Sequence, residues 1–355
     1  MATLLAVTSS SGDNMKWLKR LAALLAVLFV VLGVYVFSTA RRSDKPVGFQ
    51  VVRVESPSGP IAVALWYPTT GVPRATTFIG GNLLSVARDA PVLGTGLPVV
   101  VISHGNDGSA LSHVDLAMDL ASAGYVVAAP THAGDNYADR SRQDSPALFN
   151  ERAEQVRATL DYVLQRWPNA HAVDQSRVGA FGFSAGGFTV LTLAGGTPDM
   201  TAIANHCRRT PEFICKVLAQ VGSPLVTSST GAGVFKRDAR IRAAVVAAPG
   251  LGFTFDHGGL SDVRIPVQVW HGANDETVPY ATNVQIIEQG LGDHAETHTL
   301  PGATHLSFLA PCGLLKPPAL CKDPGGFDRV AAHKAMNAEV VRFFATHLRG
   351  AGGIK

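Results

Sequence analysis

The chain is poor in charge, aromatic residues and cysteine for its length. Of its 355 residues, 16% are charged, 7% are aromatic and four are cysteine, whereas 46% are hydrophobic. The low charge and the large apolar fraction exclude an intrinsically disordered chain. They predict a sizeable core, built as one large α/β domain or as two domains at most.

A basic surface is also absent outside the N-terminal region. The formal net charge is +3, and residues 1–45 hold six lysine and arginine residues against two aspartates, a net charge of +4. The rest of the chain therefore carries a net charge of 3 − 4 = −1. A nucleic-acid-binding protein would concentrate its positive charge on the folded domain, so we expect no nucleic-acid partner.

One unbroken apolar run, Leu21–Phe37, stands out near the N-terminus, after three basic residues. It is compatible with a signal peptide that is cleaved after Ala40, because residues 38–40 are small. It is also compatible with a membrane anchor, which we favour because the run exceeds the usual core of a signal peptide. Met1 and Met15 are both suitable start residues.

This run divides the chain into regions and predicts export. We expect a leader and hydrophobic segment at 1–40, a linker at 41–48 and one domain at 49–350, with an insertion at about 196–238. If the run is retained, the domain is membrane-anchored outside the cytoplasm through residues 21–37. If the run is removed, the domain is secreted or periplasmic.

The four cysteines form two close pairs, Cys207 with Cys215 and Cys312 with Cys321, each in a loop that contains proline or glycine. In an exported protein this pattern favours two local disulfides over four free buried thiols. Neither spacing is typical of a zinc site, so no metal is expected.

Apolar runs that alternate with helical patterns predict a mostly parallel central sheet with helices on both faces. Predicted strands are 97–102, 125–129, 177–183, 241–248, 267–270 and 296–300, and the clearest helices are 149–167 and 329–348. Residues 49–55 and 61–67 predict an antiparallel N-terminal hairpin, and 68–96 an irregular connection. Ligands of such sheets bind at the carboxyl ends of the strands.

The pentapeptide Gly182-Phe183-Ser184-Ala185-Gly186 lies between a predicted strand and a predicted helix. That context is typical of a nucleophile elbow, in which a sharp turn lifts the serine hydroxyl above the sheet. The alternative is a passive serine in a glycine-lined turn. Downstream residues favour the nucleophile.

A serine nucleophile needs a base and a group that orients the base. Asp275 follows the predicted strand 267–270, and His305 follows the last predicted strand. The order Ser184, Asp275, His305 is that of α/β hydrolases. Three other histidines are weaker candidates for the base, because they are expected to be structural or wrongly placed: His271, His294 and His298.

An oxyanion site needs two donors, for which we predict the backbone N–H groups of Ala185 and Asn106. His104, in the same loop as Asn106, is expected to organise that loop. Phe253 and Phe255 are candidates for an apolar acyl pocket, with core packing as the alternative. His132 is a candidate for the pocket, with scaffolding of its loop favoured.

These motifs resemble those of the bacterial predicted dienelactone hydrolases, which are grouped with the platelet-activating-factor acetylhydrolases of the α/β-hydrolase superfamily. The resemblance covers roughly 49–348 and rests on five motifs, at 65–68, 103–105, 182–187, 271–275 and 302–305. It implies an α/β-hydrolase fold and a serine esterase or lipase-like enzyme without metal or organic cofactor. True dienelactone hydrolases have a cysteine nucleophile where this chain has Ser184, so the family name does not identify the substrate.

The sequence therefore predicts a serine hydrolase that cleaves carboxylic esters through an acyl-enzyme, acting on a small-molecule ester or a lipid-like substrate. Two alternatives stay open. One is a peptidase of the same fold, which the absence of a large substrate-selecting domain disfavours. The other is a catalytically inactive binding protein, which the complete Ser, Asp and His set disfavours.

Overall fold

The structure is a computed structural model that describes residues 11–78, 82–228, 234–313 and 318–349. Among these residues, ten strands form one sheet in the order β10-β9-β8-β7-β5-β6-β2-β1-β4-β3. The strands are β1 Val47–Ser56, β2 Gly59–Pro68, β3 Arg74–Phe78, β4 Asn82–Arg88, β5 Leu97–Ser103, β6 Val126–Pro130, β7 Val173–Phe183, β8 Ile241–Ala247, β9 Val267–Gly272 and β10 Ala295–Leu300. The helices are α1 Ser11–Ser38, α2 Val114–Ser122, α3 Leu148–Asp161, α4 Ala185–Ala194, α5 Ala202–Arg209, α6 Phe213–Gln220, α7 Val284–Leu291 and α8 Arg329–Arg349.

The centre of the sheet is parallel, from β6 through β5, β7, β8 and β9 to β10. Its strands are apolar on both faces because each face is covered, by α3 and α4 on one side and by α2 and α8 on the other. The predicted hairpin of β1 and β2 is present and pairs antiparallel with β6. The α/β-hydrolase-like fold predicted from the sequence is thereby confirmed.

The segment 68–96, predicted to be irregular, instead contains β3 and β4. These strands pair antiparallel, and β4 continues the sheet beside β1. The reason is visible in β4, where Leu84 and Val86 are buried and alternate with less buried neighbours, as one covered face requires. Short alternation of this kind is a weak signal in sequence.

The helix predicted at 149–167 is shorter in the structure. Helix α3 ends at Asp161, and one π-helical turn, Tyr162–Arg166, follows it. The wider turn ends at Trp167, whose indole N–H donates to the Gln50 side chain on β1. A single inserted residue in a helix is a known way to re-aim a side chain, and periodicity does not reveal it.

Helix α1 extends from the domain, and its apolar stretch is not buried. The stretch Met15–Ser38 has 24 residues, long enough to cross a membrane. The predicted linker is short and partly bonded to the sheet, because the Arg41 N–H donates to Leu83 O and the Ser85 N–H donates to Arg41 O. The leader residues 1–10, residues 229–233 of the predicted insertion and residue 350 lie outside the described residues.

Candidate active site

Ser184 occupies a strained turn between β7 and α4. Its φ is 55°, in the left-handed region that residues with side chains rarely adopt. A Cβ on Gly182 would collide with the backbone of Gly186, and a Cβ on Gly186 would collide with the backbone at Ser103. Only glycine at both positions lets β7, α4 and β5 approach closely enough to form the turn.

Three side chains from three strand ends form a hydrogen-bonded chain. The Ser184 hydroxyl lies 2.9 Å from His305 Nε2, and His305 Nδ1 lies 2.8 Å from Asp275 Oδ2. The second carboxylate oxygen of Asp275 accepts the backbone N–H groups of Thr277 and Val278, each at 2.9 Å. Because the carboxylate accepts from Nδ1–H, Nε2 is the ring nitrogen that can take the serine proton.

The competing histidines have other partners or other places in the fold. His271 Nε2 bonds Thr299 Oγ1 at 2.9 Å, and His298 bonds Glu296 at 2.8 Å while stacking on Trp270. His294 is exposed in the turn before β10. The histidine that lies within hydrogen-bond distance of the Ser184 hydroxyl is His305.

The loop at 103–108 brings Asn106 beside Ser184 and Ala185 in one cavity. The Gln143 side-chain amide fastens this loop, donating to Asp107 Oδ1 at 2.7 Å and lying 3.3 Å from Asn106 Oδ1. Asp107 has a φ of 56°, so the loop turns sharply directly after Asn106. The two residues predicted to supply oxyanion donors therefore border the same cavity as the nucleophile.

A buried ion pair supports the loop from below. Arg152 lies 2.5 Å from the Asp135 carboxylate and also donates to the His104 carbonyl oxygen, and Arg152 and Asp135 are both fully buried. Asp135 in turn accepts from the Gln143 amide at 2.8 Å. The loop that would hold an oxyanion is therefore tied to α3 by charge-assisted bonds.

His104 and His132 belong to this support and lie behind the cavity. His132 Nε2 bonds Ser103 Oγ at 2.9 Å and its Nδ1 bonds Gln155 Oε1 at 2.8 Å, while the His132 backbone N–H donates to His104 Nε2. Burial, and secondly the positive charge of Arg152, hold the pKa of both imidazoles well below the ordinary value. Both rings are therefore neutral scaffolding, and His132 does not line the cavity as one interpretation predicted.

The cavity beside Ser184 holds about 60 Å³ and has an apolar wall. Its apolar lining comes from α3, α6 and two loops: Leu148, Phe149, Phe213, Ile214, Val217, Leu218, Leu251 and Val278. Phe253 and Phe255 are absent from this wall, so their prediction as pocket residues needs correction. Phe253 stacks on His206 at 3.6 Å between ring centroids, and Phe255 packs against Phe188 in the core.

Comparisons with known proteins give a matching family model and similar solved structures. The model of the dienelactone hydrolase family matches residues 88–235, a range that includes Ser184. Over that range, which is less than half of the chain, the sequence resembles the dienelactone hydrolases. A ferulic acid esterase from Streptomyces cinnamoneus has a similar structure, with a TM-score of 0.61 and 20% identity over 88% of this chain and 92% of that one. A comparison of this chain with curated proteins found no match.

The family match supports a carboxylic ester hydrolase. Within the described part of the chain, no group of three or more His, Cys, Asp or Glu side chains is placed to hold a metal ion. The chemistry that the site offers is a serine hydroxyl, a base, an acid that orients the base, and backbone donors.

Helix α6, in the predicted insertion, supplies part of the cavity wall beside Ser184, which the sequence did not predict. Helix α6 is tied to α5 by the disulfide Cys207–Cys215. The buried carboxylate of Glu212, just before α6, accepts from the side chains of Thr282 and Asn283. The spacing of Phe213, Ile214, Val217 and Leu218 was a helical signal for an apolar face, but nothing in it indicated where that face would lie.

The second predicted disulfide is also present. Cys312 and Cys321 are bonded in the loop that follows His305. Ser307, in the same turn as His305, donates to Asp323, and Asp323 pairs with Arg329 at 2.8 Å. The bond between Ser307 and Asp323 therefore ties the turn that carries His305 to the segment after the disulfide.

Proposed function

We propose that the hydrolase is a serine esterase that works through an acyl-enzyme on Ser184. The observation that carries the proposal is the chain from Ser184 Oγ through His305 to Asp275, with separations of 2.9 and 2.8 Å. These distances fall within the hydrogen-bond reach that a nucleophile and its base require.

In the proposed mechanism, His305 Nε2 takes the hydroxyl proton as Ser184 Oγ attacks the ester carbonyl carbon. Asp275 stabilises the imidazolium that forms. The backbone N–H groups of Ala185 and Asn106 hold the negative oxygen of the tetrahedral intermediate. The C–O bond to the alcohol then breaks, the alcohol leaves with the proton from His305, and water repeats the sequence on the acyl-enzyme.

The cavity favours a short acyl group. The accessible volume is only about 60 Å³, and α6 forms part of the wall that encloses it beside Ser184. Phe213, half exposed at the mouth, lies where a longer chain would have to pass. We therefore propose acetyl to butyryl esters as the preferred class.

We also propose that α1 is retained as an anchor, with the catalytic domain outside the cytoplasm. Ala40, the residue before the predicted cleavage point, is buried, and Arg41 is already bonded to the sheet edge. Two disulfides support an oxidising compartment.

Hydrolysis of p-nitrophenyl esters from acetate to laurate, with methyl ferulate in parallel, tests the activity. We expect turnover that peaks at the short esters and is lost in Ser184→Ala. Turnover that survives in Ser184→Ala would contradict the proposal. A folded wild-type protein that hydrolyses none of these esters would favour the peptidase or the binding protein.

A further inference from the structure

The turn that carries His305 is held from beneath by a histidine on another element. The turn is a short 3-10 helix, His305–Phe308, and its residue Ser307 is fully buried. The carbonyl oxygen of Ser307 lies 2.8 Å from Nε2 of His333, which is on α8. This contact reaches the turn two residues from the base.

The other nitrogen of His333 is also bonded. Nδ1 lies 2.6 Å from Oδ2 of Asp115, in the first turn of α2. Asn337, one turn further along α8, donates to the same oxygen at 3.1 Å and to Asp119 at 2.8 Å. Asp115 and His333 are both nearly inaccessible, with side-chain exposures of 1% and 2%.

The partners of His333 determine where its protons are. A carbonyl oxygen only accepts, so Nε2 must carry a hydrogen to bond Ser307. A second hydrogen must lie between Nδ1 and the Asp115 carboxylate. Burial raises the pKa of Asp115, but the charge and hydrogen bond of His333, helped by Arg41 and Asn337, hold that pKa far below its ordinary value. Asp115 is therefore an ionised carboxylate in hydrogen-bond contact with His333.

We propose that His333, held by Asp115, is a positioning residue for the base. It fixes the Ser307 carbonyl, and through it the turn, so that His305 Nε2 stays within reach of the Ser184 hydroxyl. This role rests on the proposed serine esterase. It adds that the distance of 2.9 Å from base to nucleophile depends on the bond from His333 to the Ser307 carbonyl.

Two substitutions separate the two bonds of His333. Glutamine places an amide nitrogen near the position of Nε2, so His333→Gln keeps the donor to Ser307 and loses the one to Asp115. Asparagine is shorter by one methylene group, so His333→Asn keeps the donor to Asp115 and loses the one to Ser307. A purely structural role would make kcat follow stability in both variants.

The experiment measures kcat, KM and the urea midpoint for the full-length wild type and these variants on p-nitrophenyl acetate. For His333→Asn we expect kcat to fall by about ten- to a hundredfold with KM nearly unchanged, because a small misplacement of a catalytic group is costly. For His333→Gln we expect kcat close to wild type despite a lower urea midpoint.

Asn337→Ala is the matched control, since Asn337 shares α8 and the Asp115 carboxylate but does not bond the turn. It should lower the urea midpoint and leave kcat unchanged. If His333→Asn folds and keeps the wild-type kcat, or if kcat falls in proportion to stability in all three variants, the positioning role is wrong while the esterase stands. A wild type without any ester hydrolysis overturns both.

Discussion

The two sides of the active site are held together by different kinds of bonding. On one side, Ser184, Asp275 and His305 follow the ends of β7, β9 and β10, and buried charged and polar groups bond the 103–108 loop and the turn that carries His305. On the other side, α6 of the insertion forms the pocket wall and is fastened by one disulfide and one carboxylate. The first side belongs to the core of the sheet, and the second rests on it.

This difference assigns separate tasks to the two sides. Positions of reacting atoms must be held to a fraction of an ångström, which close packing and fully bonded buried groups provide. A pocket wall only has to exclude and admit groups of a given size. We call the side formed by the strand ends the sheet side. Substitutions on the sheet side should lower kcat, whereas substitutions in the insertion should raise KM or broaden the range of acyl chains.

The largest effect is expected from Asp275→Asn. An amide at this position would favour the wrong tautomer of His305, because its NH₂ group donates where the carboxylate accepts. We expect kcat to fall by about 10⁴-fold with KM little changed. Steady-state kinetics on p-nitrophenyl acetate measures both constants. A change in KM with an unchanged kcat would contradict the separate tasks of the two sides.

Arg152→Gln tests the ion pair beneath the oxyanion loop. It leaves the Asp135 carboxylate buried without its partner, which costs about 3–5 kcal/mol of unfolding free energy. A lower kcat should accompany that loss, because the His104 carbonyl is released as well.

The matched control for Arg152→Gln is Arg53→Gln, which breaks an exposed pair with Glu55. We expect it to cost about 0.2–1 kcal/mol at most, since exposed pairs contribute little. Urea unfolding of the two variants gives the comparison. Equal losses would mean that Arg152 has no special role.

Acid should weaken the sheet side first, through His104 and His132. Their pKa is lowered in the folded protein, so below the unfolded value of about 6.5 the unfolded chain binds more protons. Stability is then lost as the pH falls below that value, by about 1.4 kcal/mol per pH unit for each ring. Urea unfolding between pH 7.5 and pH 5.5 measures the slope.

His132→Asn should reduce the slope of stability against pH by the contribution of one histidine. His257→Gln should leave the slope unchanged. The His257 side chain is 95% exposed, which makes it a suitable control. An unchanged slope in His132→Asn would mean that the His132 ring is protonated in the folded protein and is not neutral scaffolding.

The smallest effect on turnover is expected from the double variant Cys207→Ser with Cys215→Ser. The disulfide spans eight residues, for which loop-closure entropy gives about 2–3 kcal/mol, all of it local to the insertion. We expect a higher KM and a broader acyl range with kcat nearly unchanged. The p-nitrophenyl ester series measures this.

The corresponding control removes Cys312–Cys321, which closes a loop of similar length away from the pocket wall. It should leave the acyl range as it is. If both double variants broaden the acyl range equally, the insertion does not set the pocket size.

The sequence predicted the parts of the site that follow strand ends. Ser184, Asp275 and His305 could be predicted to lie together because a parallel sheet brings its carboxyl ends to one edge. The cavity residues could not. Phe253 and Phe255 follow β8 and were reasonable candidates, but their rings turn away from the cavity, and α6 reaches it from an insertion that has no fixed place in the fold.

The supporting groups were also beyond sequence reasoning, for a different reason. Asp115 and His333 are 218 residues apart, and neither lies in a motif. Arg152 is on a helix whose apolar pattern was clear, yet a buried arginine resembles a surface residue until its partner is located. Long-range pairs of single polar residues leave no periodic trace in the chain.

The most direct test of the acyl-enzyme on Ser184 is covalent labelling with an alkyl p-nitrophenyl phosphonate, followed by mass spectrometry of the digested protein. We predict release of about one p-nitrophenol per protein and one phosphonylated residue, Ser184, with no label in Ser184→Ala. Ester hydrolysis by a wild-type protein that is not labelled, or a label on any other residue, would contradict the proposed nucleophile.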